Sequence, residues 1–262
     1  MSPVGATAGA AAAATRVAAA TTAGVVTGTV VPVALAGVEV RRAPAAAVDP
    51  AALALLSPAE RARLGRLRRA ADRARFATGR AVARRMLGAR LGVAPADVPL
   101  VLAPTVGAAA AQRPGTGRPV LPGTPLRLSI AHAGDVVLVA LTDDGRAVGV
   151  DVEGGPDAAR VLGPELWDAA CAPAERAALA ARPAAARDDA FLALWTRKEA
   201  VLKATGRGLT VPMTALTVTL GARARVTATA APLPPADAVA LADVDAGTPG
   251  YRAAVAVLPA GD

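Results

Sequence analysis

The scarcity of aromatic side chains constrains the fold of this chain more than any other feature of its sequence. Hydrophobic residues make up 53% of the 262 positions, but aromatic residues make up only 2%. A close-packed interior must therefore be built mainly from valine, leucine and alanine. The large side chains available to that interior are Phe76, Trp167, Phe191, Trp195 and Tyr251. The length is sufficient for one or two domains and a sizeable core.

Two helical regions are predicted, one in each half of the chain. Ser57 is a suitable N-cap and Pro58 a suitable first helical residue, so we expect a helix from there to about Leu91. The second helical region is expected from about Pro164 to Ala204.

Valine-rich runs predict strands at 30–40, at 135–153 and near the end of the chain. The run 135–153 is predicted to be a hairpin that turns at 143–145. Helices and hairpins thus alternate in two comparable halves that meet near Ala147. The predicted class is α+β, with an N-terminal lobe at 30–146 and a C-terminal lobe at 147–262. No sequence repeat relates the halves, so any two-fold relation would be structural only.

The first 29 residues are almost entirely alanine, threonine, glycine and valine, with Arg16 as the one charged residue. No basic segment opens this stretch as a signal peptide would require, so we expect a low-complexity, disordered leader. The uncharged residues 17–37 are long enough to span a bilayer. Their alanine, threonine and glycine content and Pro32 argue against a membrane helix, and we expect no membrane association.

Charge and metal-binding side chains narrow the possible functions. The net charge of +8 and the pI of about 11.1 predict affinity for an anion, whether nucleic acid, a phosphorylated small molecule or an acidic protein. One cysteine, Cys171, and one histidine, His132, exclude an internal disulfide and the usual zinc sites. A metal would have to be held by carboxylate oxygens, which favours Mg²⁺, Mn²⁺ or Ca²⁺. The absence of disulfides is consistent with a cytoplasmic location.

Two carboxylates lie close together in the strand pattern at 148–153. Valines alternate there with Gly149, Asp151 and Glu153, which places the two carboxylates on one face about 7 Å apart. Like charges at that distance repel unless a cation lies near them. The simpler interpretation is a solvent-exposed face of an antiparallel strand.

The segment WTRKEAVLK, residues 195–203, contains the chain's two lysines, Lys198 and Lys203. Helical spacing puts Trp195, Glu199 and Lys203 on one stripe. Glu199 and Lys203 could form an ordinary surface ion pair, worth a few tenths of a kcal/mol. Alternatively, Glu199 completes an acidic triad with Asp151 and Glu153 while Lys203 neutralises phosphate charge.

Basic side chains that could bind phosphate occur upstream. The candidates are Arg63, Arg75, Arg118 and His132. No P-loop and no dinucleotide-binding glycine turn is present, which argues against a Walker-type NTPase and a Rossmann dehydrogenase. A non-enzymatic nucleic-acid-binding protein remains an alternative, although few aromatic residues are available for base stacking.

Together these motifs resemble a known family. GVDVE at 149–153, followed about forty residues later by WTRKEAVLKATGRGL at 195–209, resembles the paired signatures of the 4′-phosphopantetheinyl transferases, most closely the two-lobed surfactin-synthetase-activating type. Residues 57–84, the GRP at 117–119 and SIAHAG at 129–134 are similar to further parts of that family. The resemblance extends over residues 30–258.

The resemblance implies a pseudo-two-fold pair of similar α/β lobes and a specific reaction. A member of this family transfers 4′-phosphopantetheine from coenzyme A to a serine of an apo acyl or peptidyl carrier protein and releases 3′,5′-ADP. The sequence leaves open whether that carrier serves fatty-acid, polyketide or nonribosomal-peptide synthesis. The two-lobed length implies a monomer.

The resemblance also implies the site residues. Those matching the family's Mg²⁺ ligands, for which Mn²⁺ could substitute, are Asp151, Glu153 and Glu199. Glu199 also matches the proposed general base, and Lys203 matches the catalytic lysine. Those matching the positions that hold coenzyme A are Arg63, Arg75, Arg118 and His132.

Two positions depart from the family pattern. Ala131 replaces a usual serine, which implies the loss of one hydroxyl contact to phosphate. Glu60 replaces a basic residue of some members, which makes a coenzyme A contact there doubtful.

Overall fold

The computed structural model describes residues 27–103, 117–160 and 164–260. The elements before residue 147 are β1 (Thr29–Val31), β2 (Glu39–Pro44), α1 (Pro50–Leu55), α2 (Pro58–Arg66), α3 (Ala70–Leu91), β3 (Val101–Ala103), β4 (Arg118–Val120), β5 (Arg127–Ala133) and β6 (Val136–Thr142). The later elements are β7 (Ala147–Gly154), α4 (Pro164–Ala170), α5 (Pro173–Ala180), α6 (Ala184–Ala204), β8 (Leu216–Val218), β9 (Val226–Thr229), β10 (Ala240–Asp243) and β11 (Tyr251–Leu258). The predicted leader lies almost wholly outside the described residues.

Two antiparallel sheets and two long helices form the framework. One sheet has the order β1-β2-β6-β5 and the other the order β10-β11-β7. Residues of α3 pack on one face of β6, and the other face of β6 shares a core with the valines of β7. Helix α6 packs on the far face of β11. The layers therefore run helix, sheet, sheet, helix, which confirms the mixed α/β class.

The core is composed as the sequence predicted. Valine, leucine and alanine dominate its clusters, and the large rings contribute locally. Phe191 stacks on Trp167 with ring centroids 5.7 Å apart and lies 6.1 Å from Trp195. In the part of the chain that the structure describes, no helix is both long and apolar enough to cross a membrane.

The first helical region is two helices rather than one. Ser57 caps α2 as predicted, because its hydroxyl accepts from the Glu60 amide while the Glu60 carboxylate accepts from the Ser57 amide. The chain is then extended at Leu67 and Arg69 before α3 begins. Asp72, in the first turn of α3, is the sequence signal for this second start, since acidic side chains favour helix N-termini. The prediction of one continuous helix is wrong.

The predicted hairpin at 135–153 is also wrong. Strand β6 pairs with β5 and β2, whereas β7 pairs with β11 in the other sheet. The tight turn of the true hairpin lies between β5 and β6, where Gly134 has a φ of 51°. Both β6 and β7 are buried on two faces, so their valine patterns do not specify which strand lies beside them.

Candidate active site

The close approach of β7 to α6 forms the centre of the site. A Cβ atom at Gly149 would overlap the carbonyl oxygen of Ala200 and the amide nitrogen of Ala204, so only glycine fits there. This contact packs the face of β7 that carries Gly149 directly against α6. Asp151 and Glu153 lie further along the same face, beside the stripe that carries Glu199 and Lys203. The simpler prediction of a solvent-exposed strand face is therefore wrong for Asp151, which is only 4% exposed.

Asp151 is the buried anchor of this cluster. Its Oδ1 atom accepts a hydrogen bond from the Lys203 Nζ at 2.5 Å. Its Oδ2 atom is buried and has no hydrogen-bond partner among the residues described. Burial raises the pKa of Asp151, and the Lys203 ammonium only partly offsets that effect. A buried carboxylate oxygen without a partner is the kind of atom that a cation would complete.

Lys203 and Glu199 share this environment. Burial raises the pKa of Glu199, with Lys203 lowering it and Asp151 raising it further. Burial alone would lower the pKa of Lys203, but Asp151, Glu199 and Glu153 outweigh it and the pKa is raised. Lys203 thus interacts electrostatically with all three carboxylates. A surface ion pair between Glu199 and Lys203 alone does not describe this arrangement.

The carboxylates supply the oxygen donors that Mg²⁺ prefers. Lys203 holds one oxygen of Asp151, while the other remains without a protein partner. Over residues 27–103, 117–160 and 164–260, no three histidine, cysteine, aspartate or glutamate side chains are already arranged to hold a metal ion. The carboxylate oxygens fit Mg²⁺ by their chemistry, because one oxygen of Asp151 still lacks a partner in the described part of the chain. The triad of Asp151, Glu153 and Glu199 as the set of metal ligands stays a prediction.

Arg75 and His132 bring basic groups from the first half of the chain to this site. Arg75, on α3, donates to the Gly134 carbonyl at 3.0 Å and to Asp72 Oδ1 at 2.7 Å. The pKa of His132 on β5 is lowered, first by loss of water around its ring and then by the charges of Arg75 and Lys203. His132 therefore lies near both Arg75 and Lys203, and the residue is exposed to solvent.

Arg118 approaches the C-terminal end of α6, the end that carries Lys203. A Cβ at Gly206 would lie 3.1 Å from the Arg118 Cζ, so the guanidinium covers the turn that ends α6. Gly206 has a φ of 70°, as expected of a helix-terminating glycine. The C-terminal end of a helix attracts cations, which favours an arginine there.

Arg63 has other neighbours. Its guanidinium lies over the Phe76 ring, 5.2 Å from the centroid, and Arg80 lies over the same ring at 5.4 Å. Phe76 follows Arg75 in α3, but no described contact links Arg63 to Lys203 or to the carboxylates. The structure thus brings Arg75, His132 and Arg118 towards the α6 cluster and leaves Arg63 in a separate basic group.

The two departures from the family pattern both have structural explanations. Ala131 is 3% exposed and packs in the core between the sheets, on the face of β5 opposite His132. A hydroxyl there would point into the interior. Glu60 completes the cap of α2 and accepts from Arg84 at 2.9 Å, so its carboxylate is committed to the fold.

Lys198 is the residue whose role sequence reasoning missed. It is fully buried, and its ammonium donates to Glu175 Oε2 at 2.5 Å, to the Ala170 carbonyl at 2.7 Å and to the Met213 carbonyl at 3.0 Å. Glu175 also accepts from the amides of Ala172 and Val218. This network ties α6 to its neighbours. The available signal was Pro173 followed by Glu175, since glutamate at the third helical position reaches back to the start of its helix.

Comparisons with known proteins agree with this geometry. Residues 147–256 match the 4′-phosphopantetheinyl transferase superfamily. The chain is 33% identical over 159 residues to a candidate 4′-phosphopantetheinyl transferase of Synechocystis sp., covering 60% of this chain and 59% of that protein. It is 30% identical over 108 residues to a 4′-phosphopantetheinyl transferase of Bacillus subtilis, covering 40% of this chain and 44% of that protein. The alignments thus span less than two thirds of either relative.

Proposed function

We propose that this chain transfers 4′-phosphopantetheine from coenzyme A to a serine of an apo acyl or peptidyl carrier protein, because residues 147–256 match the 4′-phosphopantetheinyl transferase superfamily. The other product is 3′,5′-ADP. The observation that carries the proposal is the Lys203 ammonium on buried Asp151, beside Glu199 and near His132. The surfactin-synthetase-activating subtype remains a prediction from the motifs.

Asp151, Glu153 and Glu199 would hold the Mg²⁺ ion, for which Mn²⁺ could substitute. The partnerless Oδ2 of Asp151 supports this assignment. When bound, such an ion would neutralise charge on the pyrophosphate of coenzyme A.

Glu199 is the proposed general base. A carboxylate whose pKa is raised by burial is a better proton acceptor near neutral pH than an ordinary glutamate. Glu199 would take the proton from the carrier serine hydroxyl as its oxygen forms a bond to the β-phosphorus of coenzyme A. The bond from that phosphorus to the bridging oxygen breaks, and the electron pair leaves with 3′,5′-ADP.

Lys203 would stabilise charge on the phosphate oxygens and on the leaving group, which is a mainly electrostatic contribution. Its position on Asp151 holds the ammonium in place before substrate arrives. Arg75, Arg118 and His132 would bind the phosphates of coenzyme A, with Arg63 at its 3′-phosphoadenosine end. Each guanidinium offers a fork of donors that suits phosphate oxygens.

The basic charge of the chain would guide the carrier protein to the site. Carrier proteins are usually acidic around the modified serine, and opposite charges on two proteins accelerate their encounter. We further propose a cytoplasmic monomer with lobes at 30–146 and 147–262. The single described cysteine, Cys171, is buried and unpaired, which is compatible with a reducing compartment.

Replacing Glu199 by glutamine tests the chemistry. We expect Glu199→Gln to lower the transfer rate by at least about 100-fold, since general base catalysis typically contributes that much. The assay incubates protein, coenzyme A and Mg²⁺ with a panel of apo carriers and measures the mass added to each carrier. Circular dichroism checks that the variant is folded. Loading at the wild-type rate by folded Glu199→Gln would refute the assignment.

Removal of the metal tests the acidic triad. We expect transfer to stop in excess EDTA and to return when Mg²⁺ or Mn²⁺ is added in excess of the chelator. Full turnover in EDTA would contradict the role proposed for Asp151, Glu153 and Glu199.

Nucleic-acid binding without catalysis is the alternative suggested by the net charge. The structure offers it little support, because several arginines of α3 face inwards. Arg75, Arg80 and Arg84 are each less than 10% exposed, and Arg75 and Arg84 are paired with Asp72 and Glu60. Salt-sensitive binding to DNA of any sequence, without transfer to any carrier, would favour this alternative.

A further inference from the structure

Tyr251, the one tyrosine of the chain, lies where the two halves of the proposed active site meet. It is the first residue of β11, is 9% exposed, and pairs with Gly154 at the end of β7. Its ring belongs to the core between the two sheets. The sequence identified Tyr251 only as a large core residue, and the proposed reaction gives it no role.

Three glycines surround the Tyr251 side chain. A Cβ atom at Gly134 or at Gly155 would overlap the Tyr251 hydroxyl, and a Cβ atom at Gly154 would lie 2.7 Å from the Tyr251 Cγ. The tyrosine thus occupies the space that side chains at these three positions would need, a close approach of the kind that glycine permits. Because Gly134 belongs to the first half of the chain and the other two to the second, Tyr251 fills the gap between the halves.

One of these contacts is with the turn that anchors Arg75. The Gly134 carbonyl accepts a hydrogen bond from Arg75 at 3.0 Å. Tyr251 adds a contact from the second half of the chain, because its hydroxyl lies 3.4 Å from Asp135 Oδ1, the distance of a long hydrogen bond. His132 lies on β5, the strand that leads into this turn. The position of the turn therefore affects both Arg75 and His132.

The other two contacts are with the end of β7, directly after a proposed metal ligand. Glu153 immediately precedes Gly154, the residue that pairs with Tyr251. A displacement of Gly154 would move the Glu153 carboxylate relative to the Arg75 guanidinium. Close-packed interiors transmit such shifts because they contain little free space. The Tyr251 ring is thus in contact with the supports of two groups that lie on opposite sides of the proposed site.

We propose that Tyr251 is a positioning residue that sets the spacing between the turn that anchors Arg75 and the strand end that carries Glu153. The inference rests on the proposed function, in which Arg75 would bind a phosphate of coenzyme A and Glu153 would hold the metal ion. A ligand that spans both sides binds tightly only when their spacing matches it. An error of about 1 Å in such an arrangement can cost as much as about 100-fold.

Metal-dependent binding of coenzyme A tests this role without turnover. Titration calorimetry measures the affinity for coenzyme A in EDTA and in excess Mg²⁺, and the ratio of the two affinities reports the coupling between the two sides of the site. The wild type should bind at least about tenfold more tightly with Mg²⁺. Tyr251→Leu, which removes the ring, should reduce that ratio about fivefold or more. Tyr251→Phe, which removes only the hydroxyl, should reduce it about twofold.

Val257→Ala is the matched control. Val257 lies towards the other end of β11, is 2% exposed, belongs to the same core and pairs with Val148. Its truncation should lower the free energy of unfolding, as the loss of a buried side chain does, yet leave the affinity ratio unchanged. An equal reduction of the ratio in Val257→Ala would assign the effect to general destabilisation and overturn the positioning role.

The remaining outcomes separate this inference from the proposed function. Folded Tyr251→Leu with the wild-type ratio would overturn the positioning role alone. If Tyr251→Leu does not fold, Tyr251→Phe decides, and the wild-type ratio in that variant would overturn the role equally. If Mg²⁺ leaves the coenzyme A affinity of the wild type unchanged, the positioning role falls together with the proposed metal site.

Discussion

Replacing Lys198 by methionine should destabilise the protein strongly, although Lys198 touches none of the proposed catalytic groups. Methionine has a similar length and would fill much of the same space. The change would remove three hydrogen bonds at once, those to Glu175, Ala170 and Met213. It would also leave the Glu175 carboxylate, 2% exposed, without its counter-charge.

The expected cost follows from these losses. Removing one partner of a buried ion pair typically costs about 3–5 kcal/mol, because the remaining charge stays buried. Glu175 keeps its bonds from the Ala172 and Val218 amides, which favours the lower part of that range. We therefore expect the free energy of unfolding to fall by about 3–4 kcal/mol, and the Tm to fall by roughly 10 °C.

Urea denaturation of wild type and variant measures this difference. Arg176→Met is the matched control, because Arg176 forms an exposed ion pair with Asp168 in the same region and should cost at most about 1 kcal/mol. The double variant Lys198→Met/Glu175→Gln should lose less than the sum of its single changes, since neutralising both partners removes the unpaired charge. A loss below about 1 kcal/mol for Lys198→Met would refute the reasoning from its buried network.

Two further changes probe other parts of the fold. Gly149→Ala should lower the free energy of unfolding by about 1–3 kcal/mol, because the added methyl group would force β7 away from the α6 backbone at Ala200. The same change should slow transfer. A denaturation curve with wild-type stability would contradict the close contact. Glu39→Gln should lower the free energy of unfolding by up to about 1 kcal/mol at neutral pH, because it removes the ion pairs of Glu39 with Arg41 and Arg90. Burial alone would raise the pKa of Glu39, but these two arginines outweigh burial and lower the pKa overall. A group with a lowered pKa stabilises the fold above its unfolded value, here 4.5, and loses that effect as pH falls through the folded value. The difference between Glu39→Gln and wild type should therefore shrink below pH 4.5 in denaturation series, and a constant difference would argue against the ion pairs.

Local features of the chain were predictable because their physics acts within a few residues. The Ser57 cap and the end of α3 at Gly92 follow from side-chain and backbone preferences at helix termini. The common face of Asp151 and Glu153 follows from the two-residue period of a strand. The common stripe of Glu199 and Lys203 follows in the same way from the helical period.

Only the tertiary structure decided which of these faces meet and what they bury. Residues 135–153 read as a hairpin, yet β6 and β7 lie in different sheets, because the choice of a strand's neighbour depends on packing across the whole chain. Lys198 and Lys203 lie five residues apart on one helix, but one is fully buried against Glu175 and the other contacts Asp151. A sequence period fixes the direction of a side chain relative to its own backbone. The burial of that side chain, its pKa and its partners are set only when distant segments of the chain pack around it.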